Sequence, residues 1–243
     1  MHPPGTRPKI TWKFFENLKK IDPDLEMVLD CCHKPSHDLG RQNFFMERFQ
    51  VMVQKLKERG ISKILVACPN CFKIFANYGS DFTVRTVYQV LAENNGFKPA
   101  PYAGTLAVHD PCPLRYQDEV QTSVRILLAK SGFQTGKMKE TGKNTLCCGE
   151  GGAVAFHNPG FAGAWSLRRS NLAGDHRMVT YCAGCAGFLG RHGKVSHIGE
   201  VLFEPEKAMA GKSSVSKTPA TYLNRLLLKR RLSKGKRRKS WLP

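Results

Sequence analysis

Nine cysteines are the residues in this chain whose type and spacing could do chemistry: Cys31, Cys32, Cys68, Cys71, Cys112, Cys147, Cys148, Cys182 and Cys185. A thiolate is both a nucleophile and a soft metal ligand. The nine fall into two blocks with one order. DCCHKP is followed by ACPNC, and LCCGEGG is followed by YCAGC. The paired cysteines recur 116 residues later and the CxxC 114 residues later. The likeness extends past cysteine: Val84, Val87, Val90, Leu91 and Glu93 match Val195, Ile198, Val201, Leu202 and Glu204. This is an internal duplication.

The second block offers five thiols, Cys112, Cys147, Cys148, Cys182 and Cys185. A structural zinc site takes four ligands, and so does an ordinary iron–sulfur cluster. A fifth thiolate is surplus to both, and adjacent cysteines on one centre need unusual geometry. The set therefore suggests a cluster with an extra or bridging thiolate. Two plainer readings compete. CPNC and CAGC could be thioredoxin-like dithiols, which leaves the CC pairs unexplained. Zinc could also be purely structural in both halves. His33, His37, His109 and His157 lie beside the cysteines and are expected as hydrogen-bond partners rather than ligands. His109-Asp110-Pro111 is expected to shape a turn, and Arg168 and Arg169 to face solvent or a partner. GEGG at Gly149–Gly152 lacks the spacing and the acid of a dinucleotide fingerprint, and no Ser–His–Asp or paired-carboxylate signature is present.

The elements that must position these thiols repeat as well. Lys63–Ala67 (KILVA) and Arg177–Tyr181 (RMVTY) read as buried strands, each ending on a CxxC. Phe45, Phe49, Met52, Val53 and Leu56 keep helical spacing ahead of the first, with Gly60 as the stop. Val120, Val124, Leu127 and Leu128 do so in the second half, with Gly132 as the stop. Strands alternating with helices predict an α/β fold of two duplicated halves with mainly parallel sheets. The halves span residues 1–95 and 104–204, separated by the polar segment Ala92–Gly104. Ligands in such sheets bind at the carboxyl ends of the strands. The CxxC lies there in both halves, and so does Cys112, after the strand-like LAVHDP. Gly149, Gly151 and Gly152 permit positive φ and close backbone approach beside a bulky group.

On these motifs the chain resembles the cysteine-rich CCG-domain proteins, which include the cysteine-rich component of heterodisulfide reductase and the iron–sulfur component of glycolate oxidase. Their pattern is a lone Cys, then CC, then CxxC. The resemblance covers most of residues 5–203. It implies that Cys112, Cys147, Cys148, Cys182 and Cys185 bind a non-cubane 4Fe-4S cluster. It further implies an oxidoreductase subunit that moves electrons between a ferredoxin-like or flavoprotein partner and a disulfide or other acceptor. The first half departs from the pattern. It offers Cys31, Cys32, Cys68 and Cys71 as metal ligands, and Cys32 is followed by His33 where glycine stands in the second half. Its fifth ligand would align at or just before Met1. The expectation is a displaced start or a lost ligand, with zinc, an iron–sulfur cluster or nothing in the first site.

Composition bounds the rest. Mean hydropathy is −0.35, and no apolar run approaches the roughly 18–20 residues of a membrane helix. The start, MHPPGTRPKITW, lacks a signal-peptide core, so a cytoplasmic protein with reduced thiols is expected. Net charge is +19. Between Val201 and Pro243 twelve cations face two acids, Glu204 and Glu206, so over half the excess belongs to the basic segment 205–243. Lys207–Pro219 reads as a linker. Tyr222, Leu223, Leu226, Leu227 and Leu228 then suggest a short basic amphipathic helix. This tail is a solvated or docking segment, and an anionic membrane surface is a candidate partner. Nucleic acid is not favoured, because no zinc-finger, helix-turn-helix or RNP pattern accompanies the charge. The competing function is a zinc-stabilised binding module whose tail holds an acidic partner, a membrane or nucleic acid.

Overall fold

The computed structural model describes residues 3–235. The chain forms two compact units, residues 1–30 with 214–243, and Cys31–Ser213. In the first, α1 (Pro3–Thr6) leads into α2 (Pro8–Ile21), which buries Ile10, Phe14 and Leu18 along one face.

The second unit carries all nine cysteines. It begins with α3 (Lys34–Asp38) and α4 (Gln42–Lys57), whose buried face is Phe45, Phe49, Met52 and Leu56. Then come β1 (Lys63–Val66), α5 (Pro69–Tyr78), β2 (Thr83–Thr86) and α6 (Val87–Glu93). An extended segment leads to β3 (Gly104–His109), a 3₁₀ turn at Cys112–Leu114, α7 (Asp118–Lys130) and β4 (Phe133–Thr135). After a loop come α8 (Val154–His157), α9 (Pro159–Asn171), β5 (Arg177–Thr180), α10 (Ala183–Leu189), β6 (Val195–His197), α11 (Ile198–Phe203) and α12 (Pro205–Met209). The predicted strands and the helices ending at Gly60 and Gly132 are present.

Every strand pair is parallel. β1 pairs with β2, and a second sheet runs β4-β3-β5-β6. The fold is α/β, as the alternation of strands and helices predicts. β3 and β5 are the interior strands of the larger sheet. Leu106, Ala107, Val108, Met178 and Val179 on them are buried, as strands covered on both faces must be.

Ser196 Oγ donates to the Ala208 carbonyl at 3.3 Å, and Ala208 is buried. This docks α12 and corrects the linker reading, because Lys207–Met209 are helical. The compact units also cut the chain differently from the 1–95, 104–204 and 205–243 divisions, which describe the repeat. The last helix, α13 (Ala220–Gly235), joins α1 and α2. Asn224 donates to the Gly5 carbonyl at 2.8 Å, Arg225 to the Leu29 carbonyl at 3.0 Å, and Arg231 lies 3.7 Å over the Trp12 ring. The basic run Lys236–Lys239 and Met1 lie outside the described residues. Among the described residues no helix is long and apolar enough to cross a membrane.

Candidate metal centre

Each CxxC is held the same way. A parallel strand ends, its next residues turn into a helix, and the first cysteine becomes the N-cap. Cys68 caps α5 with φ −108° and ψ 124°, and Cys182 caps α10 with φ −120° and ψ 120°. The second cysteine then lies in the first helical turn. The CC pairs also match. The residue after each pair is left-handed, His33 with φ 54° and Gly149 with φ 92°. Its N–H donates to the first sulfur, His33 N to Cys31 Sγ and Gly149 N to Cys147 Sγ, both at 3.4 Å. At Gly149 a side chain is excluded twice. The φ is positive, and a Cβ would fall 2.8 Å from the Ala162 carbonyl oxygen.

In the second half the five predicted residues come together. Cys112 Sγ lies 3.8 Å from Cys147 Sγ. Cys147 also meets Cys148, and Cys185 lies in hydrogen-bonding reach of both Cys148 and Cys182. Cys148, Cys182 and Cys185 are buried among Ala107, Ala173, Met178 and Leu189, while Cys112 and Cys147 are partly exposed. Hydrogen bonds from Cys112 and Cys148 hold the Cys147 thiol below its ordinary pKa against the opposing effect of burial. The donating thiols move the other way. Cys112 is pushed up by its bond to Cys147 and by burial, and Cys185 by its bonds to Cys148 and Cys182. One interacting group of five thiols exceeds a tetrahedral zinc shell. Glu150 fills the space a side chain at Gly184 would take, inside the CAGC turn, and burial pushes its carboxyl above the ordinary range.

In the first half Cys32, Cys68 and Cys71 come together. Cys71 Sγ donates to Cys32 Sγ at 3.3 Å. Its bonds to Cys32 and Cys68 push its own pKa up, and they lower Cys32 and bring Cys68 to about 7. Cys31 takes the His33 N–H on the neighbouring side of the pair. The two halves meet at Tyr88 on α6, whose hydroxyl lies 2.9 Å from the Ala67 carbonyl and 3.2 Å from the Tyr181 carbonyl. These residues immediately precede Cys68 and Cys182. Nothing in the hydrophobic pattern distinguishes Tyr88 from its neighbours.

Two sequence expectations are corrected. Arg169 does not face solvent. It is 0% exposed, and its Nε donates to His109 Nδ1 at 3.0 Å, while Nη1 donates to the carbonyls of Glu140 at 2.9 Å and Lys139 at 3.3 Å. Arg168, one residue earlier, is exposed and lies over the Trp165 ring. His109-Asp110-Pro111 is not merely a turn. His109 ends β3, fully buried, with a ring nitrogen and the sulfurs of Cys148 and Cys185 all within 4.8 Å of one another. Burial and the Arg169 cation lower the His109 pKa to about 3. Asp110 is a buried hub that receives Arg125 through two bonds at 3.0 and 2.8 Å, the Tyr181 hydroxyl at 2.9 Å and the Gly142 N–H at 2.8 Å. Burial opposes its ionisation, but Arg125 and these other donors outweigh it and hold the carboxyl below its ordinary pKa. The hub ties β3 to the loop that leads into Cys147. His37 instead contacts the Tyr78 hydroxyl, and His157 is exposed at the end of α8.

A parallel α/β scaffold that twice presents a CxxC at a strand end together with a CC pair from a loop defines a duplicated cysteine-cluster domain. The chain belongs to the CCG cysteine-rich domain family, whose profile matches residues 16–76 and 106–190. It is 30% identical over 156 residues to the Bacillus subtilis protein named "Probable iron-sulfur-binding oxidoreductase FadF", a match covering 60% of this chain and 22% of that one. It is 25% identical over 130 residues to the "EtfAB:quinone oxidoreductase" of Syntrophomonas wolfei, covering 50% of this chain and 18% of that one. The matched region thus spans about a fifth of the length of these curated relatives.

Proposed function

We propose that this chain is an iron–sulfur module of a larger oxidoreductase, and that Cys112, Cys147, Cys148, Cys182 and Cys185 hold a 4Fe-4S cluster of the non-cubane type. The observation that carries this is the single interacting group of five thiols at the ends of β3 and β5. The name of the first relative, a probable iron-sulfur-binding oxidoreductase, supports it. Such a cluster supplies one-electron storage at a potential set by charge, hydrogen bonds and solvent access. The chain's own residues arrange those conditions. Ala107, Met178 and Leu189 exclude water from one side, Cys112 and Cys147 leave the other side open, and the Gly149 N–H supports a sulfur.

No dinucleotide fingerprint is present in the sequence, so turnover relies on partners. A ferredoxin-like or flavoprotein donor fits the one-electron role. The acceptor is a disulfide, as in heterodisulfide reductases, or a quinone, as the name of the second relative suggests. In the first half we propose that Cys31 joins the Cys32, Cys68 and Cys71 contact group in a four-thiolate shell, which suits zinc or a second cluster. Anaerobic purification, followed by iron and sulfide analysis with EPR, tests the reading. Iron and sulfide with a reducible EPR signal are expected. Zinc without iron would favour the zinc-stabilised binding module instead.

A second surface has its own observation. On α13, Tyr222, Leu223, Leu226 and Leu227 share one outward face, each 50–59% exposed, while Leu228 opposite is 5% exposed. Arg225, Lys229, Arg230 and Arg231 accompany them. Apolar residues among cations suit an anionic lipid surface. Co-sedimentation with phosphatidylserine vesicles, lost in a Leu223→Glu/Leu227→Glu variant, is expected; equal sedimentation of both would discard this role.

A further inference from the structure

We infer that His109 is a fixed N–H donor to sulfur at the five-thiol site rather than a metal ligand, and that Arg169 is the positioning residue that selects its tautomer. Where the ligated group is a cluster, this deepens the iron–sulfur reading above, but the tautomer does not depend on it.

The argument starts from what the two side chains can and cannot do. A guanidinium has five N–H donors and no acceptor. Arg169 Nε lies 3.0 Å from His109 Nδ1, so Nδ1 must be the acceptor and carries no hydrogen. A neutral imidazole has one N–H, which is therefore on Nε2. Arg169 is held in this pose by the carbonyls of Lys139 and Glu140, and it is fully buried, so the guanidinium cannot swing away. His109 is held by its place at the end of β3, next to the Asp110 hub.

The remaining nitrogen is the informative one. Nε2 is buried and has no hydrogen-bond partner among the described residues. Buried donors in native proteins are nearly always satisfied, and an orphan calls for an explanation. The sulfurs of Cys148 and Cys185 lie with a His109 ring nitrogen inside 4.8 Å, and neither takes a bond from Nε2. Nearness alone would make His109 a third ligand in a His-Cys-Cys set. The tautomer argues otherwise, because a protonated Nε2 offers no in-plane lone pair to a metal. It offers a proton to a thiolate or to an inorganic sulfide held by the same cysteines. Arg169 adds a positive charge beside the ring, close enough to interact with Cys148 and Cys185. Both effects favour extra negative charge on the sulfurs, which is the reduced state, and so raise the reduction potential.

The test begins with the unaltered chain. Nitrogen-15 histidine labelling and long-range proton–nitrogen NMR of the metal-free protein should show His109 as the Nε2–H tautomer. Addition of zinc alone should leave that proton in place. An Nδ1–H tautomer, or loss of the Nε2 proton when zinc binds, would overturn the inference, and neither measurement needs iron. In the iron-loaded chain, His109→Leu should shift the cluster potential downward while iron content stays at the wild-type level. His109→Gln, which restores an N–H donor, should recover part of the shift. A His109→Leu chain that folds with the wild-type potential would also overturn it. If neither variant folds, pulsed EPR on the labelled wild-type cluster decides: weak nitrogen coupling is expected, and the strong coupling of a directly bound nitrogen refutes the donor role. A preparation that takes up no iron would defeat the iron–sulfur reading and leave the tautomer result standing.

Discussion

The two halves of the cysteine-bearing unit share a strand–CxxC–helix segment, a left-handed residue after the CC pair and an N–H bond to its first sulfur. They differ in what stands beside that segment. In the second half, β5 is flanked by β3, which delivers His109, Asp110 and Cys112 to the sheet's carboxyl end. In the first half, β1 pairs with β2, and among the described residues no strand plays the part of β3. One strand therefore separates a three-thiol contact group from a five-thiol group with its own buried polar hub. The comparison teaches that the CC and CxxC motifs are a common base, and that the neighbouring strand decides how the base is completed.

Substitution of Cys148 should have the largest effect. Cys148→Ser is expected to abolish or alter the EPR signal of the second-half cluster, whereas Cys32→Ser should leave that signal in place. An unchanged spectrum in Cys148→Ser would break the assignment of the five-thiol group. Next come the ion pairs of the two halves. Asp110→Asn removes the buried carboxylate that the partly exposed Arg125 bonds twice, at a cost of about 1.5–3 kcal/mol. Arg85–Glu93, an exposed pair in the first half, should cost under about 1 kcal/mol when Arg85 becomes alanine. Urea unfolding of metal-free chains measures both, and equal losses would erase the contrast.

Acid should act on the second half first. His109 binds its proton less readily when folded, with a pKa of about 3, than when unfolded. The unfolded state therefore holds more protons below about pH 6.5, and stability falls from there towards about pH 3. Asp110, whose folded pKa is depressed, adds a loss that begins near its unfolded pKa of about 4 and continues as pH drops through the folded value. Hydrogen exchange of β3 and β5 in the metal-free chain, followed from neutral to acid pH, should weaken before that of β1 and β2.

The residues after the CC pairs allow a smaller test. Gly149→Ala meets both a positive φ and the Ala162 carbonyl, and should cost at least about 1–2 kcal/mol. His33→Gly removes the left-handed strain but adds unfolded-chain freedom, for a net gain of about 0.5 kcal/mol. Thermal unfolding separates the two signs. Tyr88→Phe, which takes one hydroxyl from both halves, should cost about 1 kcal/mol and weaken zinc uptake at both sites. An effect confined to one site would show that the halves are not linked through Tyr88.

Much of this was legible in the order of residues. The nine cysteines, their repeated spacing and the apolar runs that end on each CxxC follow from local pattern, because strand and helix periodicities are written in consecutive side chains. So does the expectation that the thiols gather at the carboxyl ends of parallel strands. Arg169 was not legible. Beside Arg168 it reads as one more surface cation, and its role depends on α9 turning that single position inward. His109 was visible only as a neighbour of cysteine, since its distance from Arg169 in the chain, 60 residues, hides the bond that sets its tautomer.

What the sequence determined by itself is the repeated set of thiols and the α/β class, which rest on residue type and short-range spacing. Only the tertiary structure decided which thiols form one group, which arginine is buried and which histidine nitrogen that arginine bonds. Those outcomes depend on strand order, β4-β3-β5-β6, which places residues far apart in the chain side by side. A polar side chain then becomes a hub, a lock or a solvated charge according to the burial and the partners it finds there.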